Sequence, residues 1–572
     1  MGLQCLAAPL RLSVRLISGV ILLFLFVGMG YGQIPVPSPT PVPTPAIGPD
    51  EPPPVQQTIT IPLGPMPDAE RVGVRVDDPL SLTLEQAIEM ALANNNNIDA
   101  SRNTSRISDF GLARSRGVYD PLLTSQGYYE SLTIPTASAI GGAVNGAVTQ
   151  TRFFGTGGVS GFSPYQGGSY SALFNSSRTT TSNTNSFLNP QFPSSLILEY
   201  AQPLWRNRSI DNNRRTIEIA KKNIEITDSQ LRLMAIDVIA GVERAYWDLV
   251  FALRNQQIQV ESLQQAREQF ESNQRMVAGG VLAPIEVLSA RAQVSTFEQT
   301  VYLTQEAVAR AENTLKTLML PDRQRPEWSR ALTPVSAIDR NAPRIGLDVA
   351  VTEAMKNRPE IEQLETSAEI NQIDQKFFRN QTKPQIDLVG SYTSQGLSGT
   401  ETPAAINPST GLSRVPPNLV GGFLSSLGNL AALDYPSYRV GLNISLPWGN
   451  RVAKANLGEA VVEGDRIANN RAQTEQVIEA EVRNALQTLR LTESRLTSAS
   501  DARAAAEELY SSEQRQFRAG TSTFFLVRER QTDLAAARAR ELQVRTDLNK
   551  AISEFQRSIG STLTVNNVTV TK

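Results

Sequence analysis

The plainest pattern in the chain is a seven-residue recurrence of apolar positions. Residues 212–278 contain no proline, and Ile217, Ile224, Leu231, Val238, Ala245 and Ala252 fall seven apart. A second stripe of Val242, Leu249, Leu263, Phe270 and Val277 takes over further along. Residues 284–319 continue with Val287, Val294, Val301, Val308 and Leu315. The pattern returns in a long segment, 453–519, and a shorter one, 524–558, where Val527, Leu534, Leu548 and Phe555 form the stripe. Such spacing predicts coiled-coil helices whose stripe residues hold neighbouring helices together. A helix over 212–278 would be about 100 Å long at 1.5 Å per residue.

A second periodicity, of two, predicts strands. Tyr438, Val440, Leu442, Ile444, Leu446 and Trp448 alternate with the small or polar Arg439, Gly441, Asn443 and Ser445. That run matches the roughly 9–11 residues a tilted membrane strand needs. A partner is expected near 385–393, with Ile386, Leu388 and Tyr392 on one face. A third strand is expected near 196–204, where Leu196, Leu198 and Tyr200 align with Val440, Leu442 and Ile444. The weakest signal, near 122–131, contains Tyr128 and Tyr129. Residues 131–194 and 397–436, rich in small polar residues and glycine, read as long outward loops.

These elements occur twice. Leu84-Glu85, Ala87, Ala91, Asn94 and Ile98 reappear as Leu347-Asp348, Ala350, Ala354, Asn357 and Ile361, always 263 residues on. Pro203 before Leu204-Trp205 matches Pro447 before Trp448, and Gly280 and Val287 match Gly520 and Val527, 240 residues on. Each half reads helix, helix, strand, long loop, strand, very long helix, helix. The first spans 80–335, the second 336–562, and 563–572 is a tail. The expected class is mainly α with membrane β-barrel strands.

Ahead of the repeats, residues 1–32 read as an export signal. Arg11 and Arg15 precede the apolar stretch Ile17–Val27, and Gly30-Tyr31-Gly32 offers a cleavage site. The apolar stretch is shorter than the roughly 20 residues a spanning helix needs. Residues 33–79 read as a disordered, proline-rich tether. No later run is apolar enough for a transmembrane helix, so a membrane form must be a β-barrel.

Composition narrows the chemistry. The chain has no histidine, and its one cysteine, Cys5, lies in the expected signal. The 54 basic and 56 acidic residues balance, which gives no electrostatic footprint for nucleic acid. No Gly-rich phosphate loop, metal-ligand set or cofactor signature is visible, and no acidic pair sits in a pocket-like context. An enzyme is not expected, and neither is a cofactor. Four strands in one chain would leave two open edges in lipid, so the pattern calls for an oligomer.

The order of motifs resembles the TolC-like outer membrane factor family over about residues 80–562. The resemblance rests on Leu82-Thr83-Leu84, Ala87, Ala91-Leu92 and Asn94, on Pro203-Leu204 and Pro447-Trp448, and on Arg518-Ala519-Gly520-Thr521. It implies a homotrimer in the outer membrane, with a 12-stranded barrel continued by an α-helical periplasmic tunnel. It also implies a passive export duct that joins a periplasmic adaptor and an inner-membrane pump. Val440, Leu442, Ile444, Leu446, Leu196, Leu198 and Tyr200 would face lipid. The turns Gly279, Gly280, Val281, Leu282 and Gly520, Thr521, Ser522 would form the tunnel tip and dock the adaptor. Of two acidic positions in the family's second-half motif, one is Leu526 here and the other is Glu529. Phe517 replaces the family's tyrosine and Ser522 its arginine, which puts the usual polar latch in doubt. Glu286, the first-half counterpart of Leu526, could join Glu529 at a constriction; the plainer reading makes both ordinary first-turn residues favoured by the helix dipole. The competing assignment is a periplasmic coiled-coil adaptor or scaffold, although the small β domains of such proteins are not visible here. The cargo is not legible.

Overall fold

The computed structural model describes residues 65–67, 71–136, 141–143, 145–339 and 341–570, all but Pro65 within the compact unit Met66–Lys572. The expected signal and most of the expected tether lie outside these residues.

Long helices dominate. α1 (Leu84–Asn94) and α2 (Asn96–Arg116) open the first half, and α3 (Asn212–Ala278) and α4 (Ile285–Met319) close it. The second half has α5 (Leu347–Asn357), α6 (Pro359–Gln381), α8 (Arg451–Arg518) and α9 (Phe524–Ser558). Thr83 starts α1 with a capping box: its hydroxyl accepts from the Gln86 amide at 3.1 Å, and Gln86 Oε1 accepts from the Thr83 amide at 3.0 Å. The heptad stripes become the core. Val238, Val242, Ala245 and Leu249 of α3 are buried, as are Val294, Val301, Val308 and Leu315 of α4. Val527, Leu534, Leu548 and Phe555 do the same on α9. Each buried valine, leucine or phenylalanine among them contributes about 1.5–3 kcal/mol.

The helices form four columns. Towards one end α2, α3, α6 and α8 lie side by side; towards the other, α4, α3, α9 and α8 do. α3 and α8 run through both parts, while α2 continues the line of α4 and α6 that of α9. The joints are hydrogen-bonded. Asn95, which caps α2, donates from Nδ2 to Leu318 O at the end of α4 (2.9 Å). At the corresponding joint of the second half, Arg358 donates to Ser558 O at the end of α9 (3.4 Å). The pairs 95/358 and 318/558 are 263 and 240 residues apart, the shifts of the sequence repeat. Arg358, only 7% exposed, also pairs with Glu360 (2.5 Å) and Glu481 (2.6 Å). Burial alone would raise the Glu360 pKa, but the hydrogen bond and charge of Arg358 bring it below the ordinary carboxylate value. The stability from this contact is therefore present at neutral pH and fades as pH falls through the lowered pKa.

A small parallel pair braces the middle of the stalk: β1 (Arg75–Leu82) against β6 (Arg330–Pro334). Glu312 accepts from the Leu332 amide (2.9 Å), and Lys316 donates to Trp328 O (2.8 Å). Arg71 pairs with Glu312, which also pairs with Lys316 (3.1 Å). The end of the proline-rich segment is thus built into the fold from Arg71 onward, which corrects the expected tether boundary. The C-terminal stretch is also packed: beyond the short α10 (Thr562–Val565), Val568 and Val570 rest on the first-half core.

The main sheet departs most from expectation. It has six strands in the order β2 (Leu122–Pro135), β3 (Ala147–Phe162), β4 (Ser169–Thr181), β5 (Leu188–Pro203), β7 (Gln385–Glu401) and β8 (Tyr435–Ser445), each antiparallel to its neighbours. The expected loop 131–194 contains the hairpin β3–β4. The expected loop 397–436 contains the end of β7 and a short helix, α7 (Phe423–Ala431). Each chain therefore brings six strands, not four, and the count of twelve for three chains is withdrawn. Leu446 and Trp448 lie just beyond β8. β3 escaped notice because Gly155, Gly157, Gly158 and Gly161 erase the apolar alternation. Its pairing rests on the backbone ladder, which side-chain periodicity does not report.

Replacing Arg358 with methionine should remove its bonds to Glu360, Glu481 and Ser558 O at the joint. The expected loss is about 1–3 kcal/mol, since Glu360 and Glu481 are 25% and 37% exposed and stay partly hydrated. Thermal unfolding at neutral pH reads this as a clear fall in midpoint, and a difference that shrinks in acid identifies the carboxylates as its source.

Candidate functional site

The register sorts every strand residue onto one of two faces. Leu123, Val159, Ala172, Leu198, Tyr392 and Tyr438 form one continuous row across all six strands. Leu196, Leu198 and Tyr200 share that face with Ile386, Leu388, Val440, Leu442 and Ile444, as their sequence alignment predicted. Val440 is 75% exposed and Tyr438 84%. The only charge on this face is Arg178, near the far end of β4 from the stalk. The opposite face carries Glu130 across from Arg152, together with Glu199, Asp387 and Arg439. On β5, β7 and β8 the first surface is mainly apolar towards the stalk and the second polar and charged, the division found in a wall between lipid and water. On β2 and β3 both surfaces carry apolar residues, with Leu122, Leu132, Ile134 and Phe154 on the charged side.

The inserted hairpin belongs to the same sheet. Val159 and Ala172 continue the apolar row, while Arg152, Thr156 and Asn175 continue the polar one. Its stalk-side turn is held at the head of α3. Gln166 O accepts from Gln202 Nε2 (3.0 Å), and Gln166 Oε1 accepts from Arg208 Nε (3.3 Å). Gly167, at φ +73°, has no room for a side chain, since a Cβ would lie 2.7 Å from Asn207 O. Arg214 fixes the same corner by donating to Asn207 O (2.7 Å) and Arg208 O (3.0 Å).

The other candidate lies at the opposite end of the stalk. α3 ends at Gly279, and Gly280 adopts φ +73°. Its amide bonds to Val277 O (3.0 Å), and that of Val281 to Met276 O (2.9 Å), a Schellman closure. α8 ends the same way: Gly520 has φ +76° and donates to Phe517 O, and Thr521 donates to Gln516 O, both at 3.0 Å. Glu286 falls in the first turn of α4 and Glu529 early in α9; neither forms an ion pair among the described residues. Ser522 hydrogen-bonds Glu513, and Phe517 stacks at 6.3 Å on Phe524. The two hairpin tips touch through Arg528 Nη1 and Ser289 Oγ (3.2 Å). Val281 and Leu282 are exposed and half-buried respectively. Sequence reasoning missed Ile285 and Phe525, equivalent residues of the two halves, 64% and 58% exposed at the tips. Their 240-residue spacing was the available signal.

The sequence profile of the outer membrane efflux protein family matches residues 169–319 and 350–561, more than half of the chain. The chain belongs to the outer membrane efflux protein family. That is a family of outer-membrane transport channels, not of enzymes. Among solved structures the chain is similar to the outer-membrane channel OprN, with 18% identity and a TM-score of 0.60 over 87% of this chain and 98% of that one. It is similar to the CmeC outer membrane channel of Campylobacter jejuni, at 15% and 0.58 over 84% and 86%. It is likewise similar to the MtrE outer membrane channel of Neisseria gonorrhoeae in its open state, at 16% and 0.57 over 88% and 98%. At these identities the likeness is one of fold. No curated protein matches it in sequence.

In this efflux protein the tip glycines are needed for their backbone conformation alone, because a Cβ at Gly280 or Gly520 would meet nothing within 4 Å. Gly280→Ala and Gly520→Ala should each destabilise the tip by about 1–2 kcal/mol, the cost of a left-handed residue. Hydrogen exchange of the Val281 and Thr521 amides should accelerate accordingly, with the sheet unaffected.

Proposed function

We propose that three copies of this chain close side by side into a passive export duct, an eighteen-stranded barrel in the outer membrane continued by a helical tunnel in the periplasm. The observation that carries this reading is the six-stranded sheet, open at both edges and, on β5, β7 and β8, apolar on one face and charged on the other, at the head of a stalk about 100 Å long. The edges β2 and β8 run in opposite directions, so β8 of one chain can extend the antiparallel ladder to β2 of the next. The stalk has matching unpartnered surfaces. Val462, Val477, Leu491 and Leu509 of α8 are exposed on one flank, and Tyr302 and Leu303 of α4 and Ile107 and Phe110 of α2 on the other. The charged face would line the lumen and the apolar face would meet lipid.

The duct itself does no chemistry; a pump in the inner membrane would supply the energy, reached through a periplasmic adaptor. The adaptor would dock at the tips, on Val281, Leu282, Thr521 and Ser522 together with Ile285 and Phe525. Glu286 and Glu529, repeated by threefold symmetry near a narrow axis, would draw cations in and repel one another. The family match supports the duct over a periplasmic adaptor.

Cryo-electron microscopy of the purified protein in lipid nanodiscs tests the assembly. The expected particle is a trimer with eighteen strands in the membrane wall. A monomer, or a wall of twelve strands with β3–β4 folded outside it, would overturn the proposal. Planar-bilayer recording tests the constriction. Replacing Glu286 and Glu529 together with alanine should reduce cation preference, and unchanged conductance and selectivity would remove both residues from the pore.

A further inference from the structure

On two neighbouring strands the apolar face changes character with distance from the stalk. Along β7 it reads Ile386, Leu388, Gly390, Tyr392, then Ser394, Gly396, Ser398. Along β5 it reads Tyr200, Leu198, Leu196, then Ser194, with Phe192 beyond it. A tilted strand needs about 9–11 residues to cross the hydrocarbon layer, and the stretch Ile386–Tyr392 is shorter than that. Counted from Ile386, the required length ends near Ser394–Gly396, where the strand itself offers lipid nothing apolar.

α7 covers that place. Ser394 Oγ donates to Leu430 O (3.0 Å) and Ser398 Oγ to Gly422 O (2.6 Å), while Ser194 Oγ and Ser426 Oγ share a hydrogen bond of 2.7 Å. Gly396 lets the helix approach, since a Cβ there would stand 2.1 Å from Ser426 O. Asn429 Nδ2 donates to Leu397 O and Asn418 O, both at 2.8 Å. The preceding backbone is tied to β7 by the Gly421 amide and Gly399 O (2.9 Å). Ser426 and Asn429 are thus turned towards the wall and buried, and Leu424 on the other side of the helix is 79% exposed, with Phe423 at 42%. No charged residue occurs between Arg414 and Asp434. The side of the helix against the sheet is mainly polar, Ser426 and Asn429 with Leu430 beside them, and its outward side, Phe423, Leu424 and the half-buried Leu427, is apolar, an order suited to lipid.

We propose that α7 is a lipid-embedded shoulder of the barrel, its outward face in contact with the acyl chains of the outer leaflet, where it completes the apolar belt that β5 and β7 leave unfinished. The occupant follows from continuity. The outward face of α7 extends the row of Leu196, Leu198, Leu388 and Tyr392, and the carbonyls of Gly422, Ser426 and Leu430 accept from serines of the sheet, which reduces the polar backbone left to lipid. This inference rests on the reading of the sheet as a membrane wall.

Cys5 is the only cysteine, so single cysteines placed in a Cys5→Ser chain can be spin-labelled at one site each. The protein would be reconstituted in phosphatidylethanolamine–phosphatidylglycerol vesicles, and collision rates measured with oxygen, which concentrates in lipid, and with a water-soluble nickel chelate. Labels at Leu424 and Leu427 should meet oxygen several-fold more than nickel, as should the control at Val440; a label at Asn443, on the charged face, should show the reverse. A nickel-accessible Leu424 beside a lipid-exposed Val440 would overturn the shoulder and leave the wall standing. Protection of Leu424 from both probes would overturn it in favour of a protein contact, such as a second copy. Nickel access at Val440 as well would sink the wall and the shoulder together.

Discussion

In a hydrocarbon medium an unpaired backbone amide or carbonyl has no water to fall back on, so an antiparallel sheet placed there cannot simply stop. That condition governs this molecule. The main sheet is two-faced at β5, β7 and β8, and its outer strands, β2 and β8, are exposed throughout except at Gly441. In the proposed assembly the open edges, the uncovered flanks of α2, α4 and α8, and the short apolar stretch on β7 are then one problem. Each is a surface that a single chain leaves unfinished and that a neighbour or a segment of the same chain completes.

The stalk meets a different requirement, length. Two helices of nearly equal extent run its full course, and the shorter helices are stacked end to end beside them. Stacking aligns helix dipoles head to tail, so the carbonyl end of one helix faces the amide end of the next. Asn95 in one half and Arg358 in the other bridge the gap by direct hydrogen bonds. The two solutions differ chemically: the first joint uses a neutral amide, the second a cation bound by two carboxylates. The duplicated halves therefore share geometry without sharing the residues that secure it.

Much of this was legible in the residues. Heptad stripes run along α3 and α9, and in the register Leu196, Leu198 and Tyr200 share a face with Val440, Leu442 and Ile444. Both signals come from side chains that must be apolar at fixed intervals. β3 was invisible for the complementary reason, since glycine and threonine satisfy a strand without advertising it. α7 was hidden because its buried side is mostly serine and asparagine, with Leu430 its one buried apolar residue, which reads as loop until the sheet beneath it is known. At the tips, the glycines and the paired turns were found from the repeat. Ile285 and Phe525 were passed over because an exposed apolar residue next to a turn carries no heptad or alternating signature, and only the 240-residue repeat links the two. The roles of Glu286 and Glu529 depend on symmetry mates that one chain does not contain.

The hairpin β3–β4 also sets a gauge. Six strands at 4.7–4.9 Å spacing and a tilt of 35–45° span roughly 35–41 Å, and four helical columns at 8–10 Å span roughly 32–40 Å. Four strands would cover only about 23–27 Å. In the proposed ring the membrane section would match the girth of the stalk instead of necking down above it. Traffic would then be metered solely at the far tips, and whatever clears them would meet no second throat on its way out.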